Sequence, residues 1–523
     1  MENEKYITIE ELKEVKNTSD TVFEGIKAVS GWRSGKMVTE QEYDAVERML
    51  NMFSSVNVNV EDGNLGRSTV EGRGVQVTIG VSNVKSTVPL LITNTMKPDV
   101  IKEKLGYTPL ADACMDAAEN GLKENYAIPV TANVQGTVGK ITHSGDGAGS
   151  ISVEGNPNNV YQVIVEITET GDLNNGMFRY SIDGGNTFSM EQMIPMTGTY
   201  ELSKTGLVLK FSESVEFKEG DAYSFETTEP VLNNQSVLQA VESLKNSNIS
   251  FELVHIVGTS GKALWAALQQ EAVEFLNIYK KPVIFVVEGR EKREEETLDE
   301  YLIAMKEERR GISSIYICVS LSYGIYIGND MSTRITNMAG VICGLFGRAK
   351  ESLSIGCVKD FPISSAKLLK LIPEGISEYT EKLDEMGYTV FRQYTGLENY
   401  YVSNANTLAP DNSDFPYVEN VRVLNRIVRE VTKRATENIQ QEIDPEEIET
   451  SVKGIESELN IAMDDCDDDK IISSGEVTID TENTNILVDE TLTVNAEWVP
   501  MGTSRVFNIN FAVKNPYGTS SAE

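Results

Sequence analysis

The spacing of apolar residues changes character along the chain, and each change marks a boundary. Over the first 55 residues it is helical, in "TIEELKEV" and "TEQEYDAVERMLNMF", with Thr39 placed to cap the second helix. The period then drops to two. In "VNVNVEDGNLG", Val56, Val58 and Val60 fall on one face and Asn57, Asn59 and Glu61 on the other, up to a turn at Asp62-Gly63. That pattern predicts a strand with one apolar face. "VQVTIGVS" also reads as extended, and "KPDVIKEKLGYTPLADACMDAAENG" as helical as far as Gly121.

Residues 129–232 have an all-β texture. "YQVIVEIT", "MFRYSIDGG", "LVLKFS" and "DAYSFETT" are short runs parted by Gly, Asn and Asp, which predicts a β-sandwich of roughly 100 residues inserted as a unit. After Leu232 helices and strands alternate. The series runs "QSVLQAVESLKNS", "FELVHIV", "KALWAALQQEAVEFLNIY", "PVIFVVE", "LDEYLIAMKEERR", "SIYICVSLS" and "STRITNMAGVICGLFGRA", the last in a helix position. Apolar strands between amphipathic helices predict a parallel sheet covered on both faces. Beyond it come "YTVFRQY", "NYYVSNA", and helices over about 417–441 and 445–463. Two further alternating strands close the chain. Leu492, Val494, Ala496 and Trp498 share a face in "TLTVNAEWV", as do Phe507, Ile509, Phe511 and Val513 in "VFNINFAV".

This divides the chain into a helical extension (1–55), an arm strand with the first part of a core (56–128), a β insert (129–232), an α/β core (233–472) and a C-terminal strand arm (473–523). The fold class is a mixed α/β core with an inserted all-β sandwich and extended strand arms at both ends.

Composition narrows the function. With 40% apolar residues the 523-residue chain can fill several cores. A formal charge of −34, from 80 acidic and 46 basic side chains, repels phosphate backbones and anionic lipid, so nucleic acid is not an expected partner. The opening residues lack the pattern of a signal peptide and no apolar run has the length of a membrane span, so the expectation is folding in the cytoplasm without membrane insertion. Cys114, Cys318, Cys343, Cys357 and Cys466 form no C-x-x-C pair and read as buried free thiols. Of the two histidines, His255 lies within the strand-like "FELVHIVG" and His143 in a Gly/Ser loop; neither predicts a catalytic triad.

Several short patterns tempt a chemical reading. In "FRYSIDGGNTFS", Ser181, Asp183, Gly185 and Phe188 fit the Asp-box of sialidase-type propellers. Propellers repeat that box in blade after blade, whereas here it occurs once, and hairpin turn chemistry explains each residue. The competing reading is an Asp-box glycosidase or carbohydrate-binding protein. "VGTSGKALW" has P-loop context, but Gly258 and Gly261 are too close and Ala263 replaces the Mg²⁺-binding hydroxyl; "GTVGKIT" fails likewise at Ile141. In "DCDDDKIISSGE", Asp465, Asp467, Asp469 and Glu476 take positions 1, 3, 5 and 12 of an EF-hand loop, although Lys470 stands where glycine belongs. That segment reads either as a weak calcium candidate or as a solvated acidic turn. On the long helix Arg422, Arg426, Arg429 and Lys433 form a basic stripe opposite Val421, Leu424, Val428 and Val431, which is either a solvated face or a docking face for an acidic protein.

The order of parts resembles the contractile tail sheath proteins of bacteriophages and related injection machines. The resemblance runs from about Val56 to Pro516. It rests on "VNVEDGNLG" with "VQVTIGVS", "LGYTPLADACMDAAENG" with "YAIPV", the inserted "YQVIVEIT", "FRYSIDGGNTFS", "GLVLKFS" and "FKEGDAYSFETTEP", and the closing "TLTVNAEWVPMGTSRVFNINFAV". It implies an αβ core, an outward β protrusion, and arms that pair with neighbouring copies through Val56, Val58, Val60, Leu492, Val494, Trp498, Phe507, Ile509 and Phe511. It also implies a helical homo-oligomer around an inner tail tube, met through the basic stripe, with baseplate and tail terminator proteins as further partners. No catalysis and no cofactor are called for. The place implied is a virion tail or contractile particle, assembled in the host bacterial cytoplasm. Another tail or baseplate component is the alternative within the same machine. The helical extension over residues 1–55 departs from the usual short start.

Overall fold

Strands that are apolar at every position need a layer on each side. The computed structural model describes residues 74–86, 88–481 and 486–513, together with the backbone pairing of Tyr6–Ile7 with Val38–Thr39. The rest of the expected helical extension, and the strand carrying Val56, Val58 and Val60, lie outside the described residues.

The described chain begins with β1 (Gln76–Val81), β2 (Leu90–Thr93), α1 (Pro98–Leu105), α2 (Pro109–Glu119) and β3 (Glu124–Val130). Eight strands follow: β4 (Thr142–Ser144), β5 (Ile151–Gly155), β6 (Gln162–Glu169), β7 (Met177–Ser181), β8 (Gln192–Met193), β9 (Thr199–Leu202), β10 (Leu207–Phe211) and β11 (Ala222–Glu226). The alternation then yields α3 (Asn234–Lys245), β12 (Leu253–Thr259), α4 (Lys262–Asn277), β13 (Ile284–Glu288), α5 (Leu298–Arg309) and β14 (Ile317–Ser320). Next are β15 (Tyr323–Ile327), β16 (Thr333–Asn337), α6 (Ala339–Arg348), β17 (Leu368–Ile372), α7 (Thr380–Glu385), β18 (Phe391–Gln393) and β19 (Tyr400–Val402). The C-terminal part holds α8 (Val418–Glu437), α9 (Ile448–Asp468), β20 (Ser474–Asp480) and β21 (Thr493–Val499).

The core sheet has six strands in the order β14-β13-β12-β1-β3-β2. All neighbours run parallel except β2, which is antiparallel on the edge. Gln76 pairs with Leu253 on one side and Asn125 on the other, so β1 sits between strands that precede and follow the β segment. The buried strings "LVHIV", "IFVVE" and "ICVS" are covered by helices whose inward residues join one large apolar cluster, including Trp265, Phe275, Tyr301 and Phe346. Helix starts follow their sequence signals. Asn233 accepts from the Ser236 N–H at 2.8 Å, and Thr297 with Glu300 forms a reciprocal capping box on α5.

Strands β4 to β11 form a five-stranded sheet, β8-β7-β6-β11-β4, and a three-stranded sheet, β9-β10-β5. The two share a separate cluster in which Val163, Val165, Phe178 and Tyr223 meet Leu207, Leu209 and Phe211. The chain enters and leaves through a narrow neck, with antiparallel bridges Val134–Val231 and Val138–Thr227. "GTVGKIT" belongs to this neck: a Cβ on Gly136 would fall 2.3 Å from the Thr228 carbonyl oxygen.

Two helices expected from the sequence are divided in the structure. The helical stretch over 97–121 divides at Gly106, whose φ is +81° and where a Cβ would fall 2.0 Å from Asn83 Oδ1; Pro109 then opens α2. "STRITNMAGVICGLFGRA" is not one helix. Its β-branched first part is strand β16, and the Asn337 side chain accepts from the Ala339 N–H at 2.9 Å to begin α6.

Helix α6 lies close against α2 because of its glycines. A Cβ on Gly344 would fall 2.5 Å from Asn120 Cβ and 2.6 Å from the Ala117 carbonyl oxygen, whereas one on Gly340 would fall 3.1 Å from its nearest atom. Gly344→Ala is therefore expected to cost about 1–3 kcal/mol through forced separation of the helices, despite the better helix propensity of alanine. Gly340→Ala is expected to cost less, with urea denaturation as the measurement.

Candidate functional site: the C-terminal layer and its exposed segment

Helix α8 carries apolar residues on two faces rather than one. Val418, Val421 and Leu424 join the core cluster, while Val423 and Ile427 face Val452, Ile455, Leu459 and Met463 of α9 with Val477 and Ile479 of β20. A helix sandwiched in this way leaves little room for a free polar face.

That arrangement corrects the reading of the basic stripe. Arg422 is fully buried, with Nε 2.7 Å from Glu252 Oε1, and Nη1 donates to the Lys350 carbonyl at 3.3 Å. Arg429 donates to the carbonyls of Phe251 (2.9 Å) and Pro282 (2.5 Å), at the strand ends of the core sheet. Arg426 reaches Glu430, Asp469 and Glu351 at 3.2, 3.5 and 3.6 Å. Lys433 is exposed. Arg422 and Arg429 thus bind α8 to the body of their own chain, and the stripe is neither a solvated face nor a row open to a partner. The signal that could have revealed this is Glu252, a carboxylate at the start of an apolar run, whose burial requires a cation.

Glu351 belongs to the same cluster. Burial, reinforced by the neighbouring Glu252 carboxylate, raises its pKa from 4.5 to about 7, against the opposing pull of Arg422 and Arg426.

The acidic stretch after α8 does not form the loop that an EF-hand needs. Helix α9 continues through Asp468, so Asp465 and Asp467 lie in its last turns, Asp469 is its C-cap, and Glu476 is already on β20. Asp465 pairs with Arg434 at 2.7 Å, Asp467 with Lys470 at 3.1 Å, and Asp469 with Arg426. These pairs offset the repulsion between carboxylates and a helix C-terminus.

The closing strands behave differently from each other. β21 pairs antiparallel with β20 of the same chain over its whole length, Thr493 opposite Asp480 and Val499 opposite Ser474. Leu492, Ala496 and Trp498 turn inward against the α9 layer, and Val494 is partly exposed. This part of the expected arm is thus paired within its own chain. The next segment is not. Val506, Phe507, Ile509, Phe511 and Val513 range from 67% exposed (Ile509) to fully exposed (Val513), and residues 500–513 take up no regular structure. Residues 506–513 thus present a dense apolar row to water.

The remaining candidates are explained within the chain. Asp183 accepts from Ser181 Oγ (2.6 Å), the Thr187 N–H (2.9 Å) and Thr187 Oγ1 (2.7 Å), while Gly184 and Gly185 have φ of +71° and +93°. Ser181, Asp183 and Gly185 thus serve the turn. His255 Nε2 lies 3.0 Å from Glu288 Oε1, and Glu288 Oε2 accepts from the Gly258 N–H at 3.0 Å, inside the core sheet. His143 stacks on Tyr223 in the β segment. At the Gly-Lys loop, Glu308 accepts from the Lys262 N–H at 3.0 Å, so the chain's own carboxylate occupies the start of α4 where a phosphate would sit. Four of the cysteines are buried and Cys357 partly so, all as free thiols. Among the described residues no helix is long and apolar enough to cross a membrane, and no cluster of three metal-ligating side chains occurs.

Comparison with known proteins places these parts in a family. A family model described as the DUF2586 N-terminal domain matches residues 53–406, and one described as the C-terminal domain matches residues 414–518. The chain belongs to the DUF2586 family. The C-terminal DUF2586 domain takes in α8, α9, β20, β21 and the exposed segment, and its boundary falls just before α8. The chain is 24% identical over 200 residues to a protein of Haemophilus phage HP1 whose name marks it as a candidate tail sheath protein. That match takes in 36% of this chain and 52% of the phage protein, so the chain spans about half the length of the curated relative it matches. Similar solved structures include a sheath tail protein of Desulfitobacterium hafniense, at 14% identity and a TM-score of 0.45 over 86% of this chain and all of that one. A sheath tail protein of Listeria innocua has 14% identity and a TM-score of 0.46, over 83% and 94% of the two chains. The sheath of an extracellular contractile injection system, in its contracted state, has 12% identity and a TM-score of 0.47, over 88% and 98%.

Two measurements probe the DUF2586 C-terminal layer. Arg422→Met leaves Glu252 buried without its cation and is expected to cost about 3–5 kcal/mol in chemical denaturation, most of it recovered in Arg422→Met/Glu252→Leu. Because Glu351 keeps its proton to higher pH when folded than when unfolded, its ionisation lowers stability as pH rises from 4.5 to about 7. Glu351→Gln is expected to flatten the pH dependence of Tm in that window, and an unchanged slope would count against the assignment.

Proposed function

We propose that this chain is the structural subunit of a contractile tail sheath, in a phage or a related contractile particle. Copies polymerise helically around an inner tail tube, and the lattice contracts to drive the tube through a target envelope. The observation that carries this reading is the apolar row Val506, Phe507, Ile509, Phe511 and Val513, five large apolar side chains exposed within eight residues. An extended segment of this kind is stabilised by adding to a sheet or apolar surface of another copy. The named phage relative supports the same reading.

In this proposal the two sheets of residues 142–226 are an inserted sandwich that protrudes from the core, and their narrow neck supports that role. The arm is the segment from Ser504 onward, with Phe507, Ile509 and Phe511 as its contact residues, and an N-terminal arm around Val56, Val58 and Val60 takes the complementary part. Baseplate and terminator proteins bound the polymer at its ends. The subunit works through lattice packing between two states and requires no catalytic group or cofactor.

Purified full-length protein is expected to form long cylinders under the electron microscope. A chain ending at Thr503 is expected to remain folded by circular dichroism yet sediment as a monomer, because the apolar clusters of the body do not include the arm. Cylinders formed by the truncated chain would overturn the arm reading, and short rings or discrete particles from the intact chain would point to a baseplate component instead.

A further inference from the structure

The segment after β21 keeps an inward and outward alternation for only three steps. Met501, Thr503 and Arg505 are partly buried, Gly502 and Ser504 are exposed, and every residue from Val506 to Val513 is exposed. The alternation therefore stops at Arg505, where three side chains converge on one guanidinium. It lies over the Tyr417 ring at 3.6 Å from the centroid, and Nη2 is 2.5 Å from Glu419 Oε1. Nη1 donates to Asn404 Oδ1.

These partners are themselves fixed. Tyr417 is the N-cap of α8 and Glu419 lies in its first turn, almost wholly buried, where the helix dipole favours a carboxylate. Asn404, just beyond β19, donates to Asp384 Oδ2 of α7 at 2.9 Å. A planar fork that stacks, pairs and hydrogen-bonds at once matches this pocket in a way a lysine ammonium does not.

We propose that Arg505 is a tether that fixes the point and direction at which the apolar arm leaves the body, so that residues 506–513 are presented to a second copy of this chain. The proposal rests on the arm reading given under Proposed function. Arg505 is a positioning residue: it makes no contact with the second copy and acts through the arm it orients. Holding one end of a flexible segment raises its effective concentration at the receiving surface and removes part of the ordering entropy from the docking step. Without the tether the next apolar hold back along the chain is Met501, packed against the α9 layer, so the freely moving stretch would begin about four residues earlier, which lowers that effective concentration and costs further ordering on docking.

The test uses the full chain and three variants: Glu419→Gln, Arg505→Lys, and the chain ending at Arg505. In Glu419→Gln the arginine remains but its buried counter-charge is gone. Trypsin cleavage after Arg505 in the unassembled protein, located by mass spectrometry, is expected to speed up about tenfold. The protein concentration needed for cylinders is expected to rise severalfold in both Glu419→Gln and Arg505→Lys, with the folded body unchanged by near-UV circular dichroism. The chain ending at Arg505 keeps the tether but lacks the arm and is expected not to assemble at all. If that chain assembles normally, the arm reading itself fails. If it does not assemble but both point variants assemble at the wild-type concentration, the tether is wrong and the arm reading stands. Assembly at a lower concentration than wild type would also overturn the tether, since it would mean that Arg505 restrains the arm rather than presenting it.

Discussion

A charge buried between two layers holds this molecule together. Arg422 on α8 and Glu252, the residue before β12, are both withdrawn from water, and each is tolerable only because of the other. Around them α8 is apolar on two sides, one face closing the core and the other carrying α9 and the β20–β21 pair. Each Val or Leu so buried contributes about 1.5–3 kcal/mol, but such burial is indifferent to small rotations of the helix about its axis. The ion pair, with Arg429 bonded to two carbonyls beside it, removes that freedom. The C-terminal layer thus takes its orientation, and the exposed segment its starting point, from the parallel sheet.

The β segment is attached by a different logic. Its own cluster is independent of the core, and only two antiparallel bridges close its neck. Side contacts add direction: Asn159 Nδ2 donates to Asp112 Oδ2 on α2 at 2.6 Å, and the Lys204 ammonium lies 4.8 Å from the Tyr107 ring centroid. Asp112 and Asp116 flank the buried Arg334, so the same arginine that locks α2 to β16 also stiffens the seat of the β segment. A unit joined in this way is fixed in direction on the core as well as attached to it.

The sequence made the repeating parts legible. Continuous apolar runs such as "PVIFVVE" and alternating runs such as "YQVIVEIT" announced their elements because burial on both faces, or on one, leaves a periodicity. The breaks were legible only partly. The break at Gly106 was missed, because its necessity comes from Asn83 pressing against it, a contact that no local pattern contains. The basic stripe misled for the same reason. A spacing of i, i+4 and i+7 says that residues share a helix face but not what covers that face, and the cover is supplied by Glu252 and Phe251, some 170 residues earlier in the chain. Acidic spacing at the end of α9 imitated a metal loop while the chain remained helical, since α9 continues to Asp468 before the glycine position of the pattern is reached. The exposed apolar row was visible in the sequence, whereas the point at which it leaves the body depends on Arg505 meeting Tyr417, Glu419 and Asn404.

The place of β1 between β3 and β12 has a consequence for how the protein is made. β1 and β3 emerge from the ribosome early, yet β12 follows only after all the strands of the β segment, from Val81 to Leu253 in the chain. At the usual pace of synthesis that wait lasts roughly 10–30 s, long compared with the folding of a small β unit. During it the β segment can close around its own cluster, while the unmatched edge of β1 stays open to any other strand nearby. Neighbouring nascent chains on one messenger carry the same open edge at the same time. Yield of this protein is therefore a kinetic matter, set by how fast the ribosome delivers Leu253 relative to how often two half-made sheets meet.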